Sequence, residues 1–177
     1  MHDEVATMLR RVRLLETDDS GTQQTMRLRG LRGETLSGVV RAQYYGLSSV
    51  PPAGAEGVLL TLGGRTDRAM VLGVEDPGAR PTGMQPGETA LYGPDGTILK
   101  LLMQKVYLDA QGKDVEITNA RKVTIRGSNE VVIGVADRFT RIRPHRIDLA
   151  VTAEDQEAPY RVATEGGPSN VVFARLD

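Results

Sequence analysis

Val115-Glu116-Ile117-Thr118-Asn119-Ala120-Arg121-Lys122, Val123-Thr124-Ile125-Arg126-Gly127-Ser128-Asn129-Glu130 and Val131-Val132-Ile133-Gly134-Val135-Ala136-Asp137-Arg138 follow one another without a gap, and each opens on Val-x-Ile. A pattern that returns every eight residues is a structural repeat, and its apolar alternation marks a short strand with one inward face. A looser copy, Val106-Tyr107-Leu108, precedes the three with a one-residue slip around Gln111-Gly112. Phe139 carries the register into a fourth octad, where Arg141 breaks it. Eight residues supply one strand, one turn and two inward side chains, too little to enclose a core within one chain. Three chains wound about one axis enclose it, and their ladders hide the strand edges. Such a head-to-tail interface closes into a ring. Each buried Val or Ile then contributes about 1.5–3 kcal/mol. The expectation is an intertwined trimeric triple-stranded β-helix over residues 88–149. Its core would be Val106, Leu108, Val115, Ile117, Val123, Ile125, Val131 and Ile133. The plainer reading is a β-meander with hairpins at regular spacing.

Upstream of the repeat the texture is that of short strands. Arg11–Glu16, Gln24–Gly30, Val39–Tyr45, Val58–Leu62 and Arg68–Val74 are separated by turn signals such as Asp18-Asp19-Ser20-Gly21 and Gly63-Gly64-Arg65-Thr66-Asp67. Five short strands with one long loop predict a small barrel over residues 11–76, of OB type, with an SH3-like barrel left open by the alternation alone. Residues 1–10 are read as a short N-terminal helix capped by Asp3. Residues 77–87, rich in Pro and Gly, read as a linker. Residues 150–177 read as a C-terminal cap or docking segment, with short strands at Tyr160–Ala163 and Val171–Ala174. The fold class expected is all-β.

The chain has 177 residues, with Lys+Arg 22 against Asp+Glu 23, and this balance weighs against a general nucleic-acid binder. It contains no Cys, which excludes disulfides, thiol catalysis and Cys-ligated metals. No apolar run approaches the roughly 20 residues that span a bilayer, and the N-terminus lacks a signal-peptide core, so a soluble, cytoplasmically made protein is expected. With no Trp and only Phe139 and Phe173 as phenylalanines, the apolar content is mostly aliphatic. That suits strands and narrow layered cores.

Few residues invite a chemical reading. His145 lies in Arg141-Ile142-Arg143-Pro144-His145-Arg146. It is the one metal-ligand candidate, and the arginine neighbours oppose a cation. Arg138, Arg141, Arg143 and Arg146 are read as a solvated face paired locally with Asp137 or Asp148, with partner docking as the second reading. Glu56, Glu75 and Asp76 are the carboxylates a sugar hydrolase would need, supported by residue type alone. No nucleophile elbow or His-Glu-x-x-His stretch exists. No catalytic residue and no cofactor is expected.

Gly21-Thr22-Gln23-Gln24-Thr25, Arg29-Gly30-Leu31-Arg32-Gly33-Glu34 and Gln43-Tyr44-Tyr45-Gly46-Leu47-Ser48-Ser49-Val50 lead into Pro51-Pro52-Ala53-Gly54-Ala55-Glu56-Gly57. Together with Val71-Leu72-Gly73-Val74-Glu75 and Gly87-Glu88-Thr89-Ala90-Leu91-Tyr92, these runs resemble the bacteriophage Mu baseplate spike family, baseplate assembly protein V, over about residues 8–135. The loop Pro51–Gly57 is the most specific part. The resemblance implies a homotrimer with an N-terminal OB domain facing hub or tail-tube proteins and a β-helix pointing at the cell. It implies a virion structural protein, assembled in the bacterial cytoplasm and driven through the host outer membrane by sheath contraction. Spikes of this type end in a His-x-His apex that binds iron. This sequence has no His-x-His, so the iron is not carried over, and residues 150–177 are expected to form a metal-free cap or to dock a separate tip protein. The rival reading is an OB-fold binding module for saccharide or single-stranded nucleic acid, for which Tyr44 and Tyr45 are the adjacent aromatics. A cell-wall hydrolase is the third reading, and 177 residues leave no room for its domain.

Overall fold

The computed structural model describes residues 8–135, 138–151, 157–164 and 167–174. They fall into two compact units, 1–115 and 116–177. The Pro- and Gly-rich segment 77–87 lies inside the first.

Alternation of apolar and polar residues builds the barrel of the first unit. In β1 (Leu9–Asp18), Val12 and Leu14 turn inward while Arg11 and Arg13 turn to solvent. β2 (Thr25–Arg29), β3 (Thr35–Arg41), β4 (Glu56–Thr61) and β5 (Ala69–Glu75) join it in a closed barrel of order β1-β2-β3-β5-β4. β3 and β5 run parallel, and every other join is antiparallel. This closed five-stranded order is OB-like and answers the question that alternation left open. The core is Val12, Leu14, Met26, Leu28, Val39, Ala55, Leu59 and Val71, with no aromatic ring among them. Aliphatic side chains fill so narrow a barrel without the space that rings demand.

Two expectations shift here. Residues 1–7 of the expected helix lie outside the described residues, and Leu9 and Arg10 open β1 instead. β3 begins at Thr35 and ends at Arg41, several residues before the expected Val39–Tyr45. The cause is Gly38, whose φ of 69° kinks the strand where the register slips between Met26 and Leu28 of β2. Such a bulge breaks the alternation that would mark Thr35–Ser37 as strand.

β6 (Thr89–Tyr92), β7 (Ile98–Leu101) and β8 (Val106–Asp109) follow as an antiparallel three-stranded sheet. The segment 77–87 is tied at its start, where Gly78 N donates to Asp76 Oδ1 at 2.9 Å and Arg80 Nε lies 3.2 Å from Glu75 Oε1.

In the second unit, β9 (Val131–Val135), β10 (Arg138–Arg143), β11 (Arg146–Val151), β12 (Tyr160–Thr164) and β13 (Gly167–Ala174) form one sheet of order β12-β13-β11-β10-β9. The first three make an antiparallel meander, so the plainer reading of the repeat describes residues 131–151. The expected boundary at residue 150 falls inside β11. The two strands foreseen in the C-terminal segment are present as β12 and β13, and Glu154-Asp155-Gln156 lies outside the described residues. Within this single chain the octads opening at Val115 and Val123 form no strand. A strand needs a neighbour for its backbone groups.

Candidate functional site

The eight residues expected to form a shared core are distributed over three settings. Val106 and Leu108 lie on β8, Val131 and Ile133 on β9, and Val115, Ile117, Val123 and Ile125 on the stretch between. Seven of them are large exposed hydrophobics, from 53% for Val123 to 70% for Val106 and Ile117; Val131 is half-buried. The repeat also marks the backbone: Gln111 (φ 52°) and Asn119 (φ 56°), eight residues apart, are both left-handed. Non-glycine residues seldom adopt that conformation outside turns.

The sheet β6-β7-β8 extends this apolar surface beyond the repeat. Leu91 pairs with Leu99, which pairs with Leu108; Leu101 pairs with Val106. Period-two geometry places these five aliphatic residues on one face. Leu91, Leu101, Val106 and Leu108 are each at least half exposed. The repeat did not point to Leu91, Leu99 and Leu101, whose common face arises from the pairing of β6, β7 and β8.

The loop Pro51–Gly57 closes the barrel. Gly54 N donates to Leu14 O at 2.9 Å, and Leu14 N donates to Ala55 O at 2.7 Å. Ala55 is fully buried, and Gly54 has a φ of 97°. Pro52 and Ala53 are exposed, Pro51 is half-buried, Glu56 starts β4 on the outside, and Gly57 is packed within. Just before it, Arg41 Nη1 donates to Gln24 Oε1 at 2.9 Å and to Ser49 O at 2.5 Å, and Arg41 Nη2 donates to Ser49 Oγ at 3.0 Å. Burial draws the Arg41 pKa below the ordinary guanidinium value. This polar anchor holds a loop whose tip carries Tyr44 and Tyr45, 87% and 107% exposed.

Arg141, Arg143 and Arg146 converge on Asp148. This carboxylate is fully buried. It accepts from Arg146 Nε at 2.6 Å, from Arg143 Nη2 at 2.8 Å and from Ala158 N at 3.0 Å. Arg141 Nε stands 3.9 Å away. Burial alone would raise the Asp148 pKa, but the hydrogen bonds from Arg146, Ala158 and Arg143 outweigh it and hold the carboxyl below its ordinary value. Arg143 also donates to Glu157 at 2.9 Å, and Arg146 lies over the Phe173 ring at 3.7 Å from its centroid. Arg141, Arg143 and Arg146 are thus paired locally with Asp148 as expected, but Arg141 and Asp148 are buried rather than part of a solvated face. Asp137 lies outside the described residues.

His145 is exposed in the turn between β10 and β11, flanked by Arg143 and Arg146, and His2 lies outside the described residues. One imidazole among guanidinium groups does not fit an iron site. Glu56 and Glu75 face each other across β4 and β5 on the open barrel surface. Glu75 is held by Arg80 at 3.2 Å, and Glu56 lies 4.0 Å from Arg13.

The chain is similar to the baseplate puncturing device gp45 of Escherichia phage Mu, 33% identical over 101 residues, or 53% of this chain and 51% of that protein. It is also similar to the Mu-like prophage FluMu protein gp45 of Haemophilus influenzae, 34% identical over 84 residues, or 48% of this chain and 46% of that protein. The chain therefore spans about half the length of the curated relatives it matches. Residues 11–78, which hold the closed barrel, match the family model described as Bacteriophage Mu Gp45, N-terminal. Through that barrel the chain is similar to the phage Mu gp45 family.

Proposed function

We propose that this protein is the structural central spike of a contractile phage tail or phage-derived particle. It acts as a homotrimer, without catalysis, and resides in the virion baseplate. The barrel attaches to hub or tail-tube proteins, and residues 88–149 associate with two further copies into a narrow, rigid shaft. Residues 150–177 cap the shaft or dock a separate tip protein. When the sheath contracts, the shaft is pushed through the host outer membrane. The sheath supplies the work, so the spike itself needs stiffness and a small cross-section.

The observation that carries this reading is the exposure of the repeated Val-x-Ile side chains in a single chain. Large apolar surfaces left open on one copy mark a site of association. Two further copies supply both the missing ladder partners and the missing core. The printed name of the phage Mu relative, a baseplate puncturing device, supports the same role.

The test is the solution mass of purified full-length protein by light scattering. Three copies of the 19.2 kDa chain weigh about 57.6 kDa. That mass, stable to dilution, is expected. A monomer would overturn the shaft. It would favour the second reading, an OB-fold module for saccharide or single-stranded nucleic acid, for which the exposed Tyr44 and Tyr45 are the observation in favour.

A further inference from the structure

On the outer surface of the barrel, β1 and β2 set arginine against arginine. Arg13 is the register partner of Arg29. Arg11 lies two residues along β1 on the same face, and all three are exposed. Like charges directly opposite on neighbouring strands destabilise a sheet. Glu56, the register partner of Arg13 on β4, approaches them no closer than 4.0 Å from Arg13. Two other arginines on these same two strands are paired closely: Arg27 lies 3.0 Å from Glu16 and Arg10 lies 2.6 Å from Glu34. Arg11, Arg13 and Arg29 instead line a shallow open cleft with Val12, Gly30 and Glu56. Lys+Arg 22 against Asp+Glu 23 makes this concentration of positive charge local. A departure from local stability rules without an internal gain is expected at sites kept for function.

We propose that the Arg11–Arg13–Arg29 face is a docking surface for a protein partner that presents carboxylates. Guanidinium forks match carboxylates in bidentate geometry and tolerate burial at interfaces better than ammonium groups. Carried on strands of a closed barrel, the three side chains start from fixed backbone positions, which reduces the backbone entropy lost on docking. A nucleic acid suits the face less well. Glu56 and Glu16 border it, and β1 and β2 contribute no aromatic side chain on which a base would stack. The inference deepens the proposed attachment role of the barrel and rests on that reading only for where the partner sits.

The experiment uses the full-length chain with two probes, a synthetic glutamate-rich peptide and an oligothymidylate of equal charge. Binding of each is followed by titration calorimetry. The peptide is expected to bind more tightly than the oligothymidylate. Its affinity should fall roughly tenfold between about 50 and 500 mM sodium chloride. Arg13→Gln and Arg29→Gln should each weaken it roughly tenfold. Neither variant should melt lower than the unsubstituted protein, because each removes like-charge repulsion. Absent peptide binding, tighter oligothymidylate binding, or variants that bind as the unsubstituted chain does would overturn the proposal. So would variants with an altered solution mass, which would assign the face to contacts between copies. A trimer that ignores the peptide removes the docking face and leaves the shaft standing. A monomer that binds it removes the shaft and leaves the docking face.

Discussion

Gly57 is packed so closely on Val71 that a Cβ at Gly57 would stand 3.0 Å from Val71 Cγ2 and 3.1 Å from the carbonyl oxygen of Leu72. Val71 is fully buried and the carbonyl belongs to a barrel strand, so neither neighbour has room to recede. Gly57→Ala is expected to lower stability by about 1–3 kcal/mol through overpacking. Calorimetry would read this as a lower melting midpoint, and an unchanged midpoint would show that Val71 yields.

Asp148 sets an acid limit on the second unit. Its carboxyl is held below the ordinary value of 3.8, so the folded state binds its proton less readily than the unfolded chain. The stabilisation is complete above the unfolded value and is lost as pH falls through the lower folded one. Asp148→Asn removes one partner from a buried cluster of arginines and is expected to cost about 3 kcal/mol at neutral pH. Its unfolding midpoint should also depend less on pH below about 4 than that of the unsubstituted protein. Equal slopes for the two proteins would mean that another carboxylate carries the acid sensitivity.

The shaft reading predicts that Ile117→Asp or Ile125→Asp abolishes the trimer. Each places an unpaired charge on an axis that has no partner for it, at a cost of several kcal/mol per copy. Light scattering should then report a mass near that of one chain. The barrel transition in calorimetry should persist, because neither residue belongs to the barrel core. A trimer that survives both substitutions contradicts the shared core.

Arg41 anchors the loop that carries Tyr44 and Tyr45. Arg41→Ala deletes its bonds to Gln24 and Ser49. Hydrogen bonds to a charged group contribute about 1.5–3 kcal/mol. Chymotryptic cleavage after Tyr44 or Tyr45 should therefore quicken by about tenfold or more. Cleavage at the original rate would show that the loop is held by Gly54 and Ala55 alone.

The barrel was largely legible because its core is aliphatic and its alternation is clear in β2, β4 and the first six residues of β1. β3 was displaced because the bulge at Gly38 hides its first residues, and because Tyr44 and Tyr45 have the propensity of strand residues while standing in a loop. The role of Asp148 was half legible. Its arginine neighbours marked it as a partner, but its depth depends on Ala158 folding back over it, a contact ten residues away in sequence. The repeat was legible as a repeat, and the strands expected at Val115 and Val123 are not present in the single chain. Leu91, Leu99 and Leu101 escaped attention because their face is created by pairing across β6-β7-β8, which spacing within one segment does not reveal.

β3 and β5 share two register pairs, Val40 with Met70 and Arg41 with Val71, while β1 and β4 share five. One further bond, from Ala42 N to Val71 O at 3.1 Å, continues that join. A ring of strands parts where the fewest bonds hold it. A barrel that opens does so first between β3 and β5, leaving a curled open sheet with β1 at its middle. In heavy water, deuterium should reach the backbone amides along the β3–β5 join first and those of Val12 and Leu14 last.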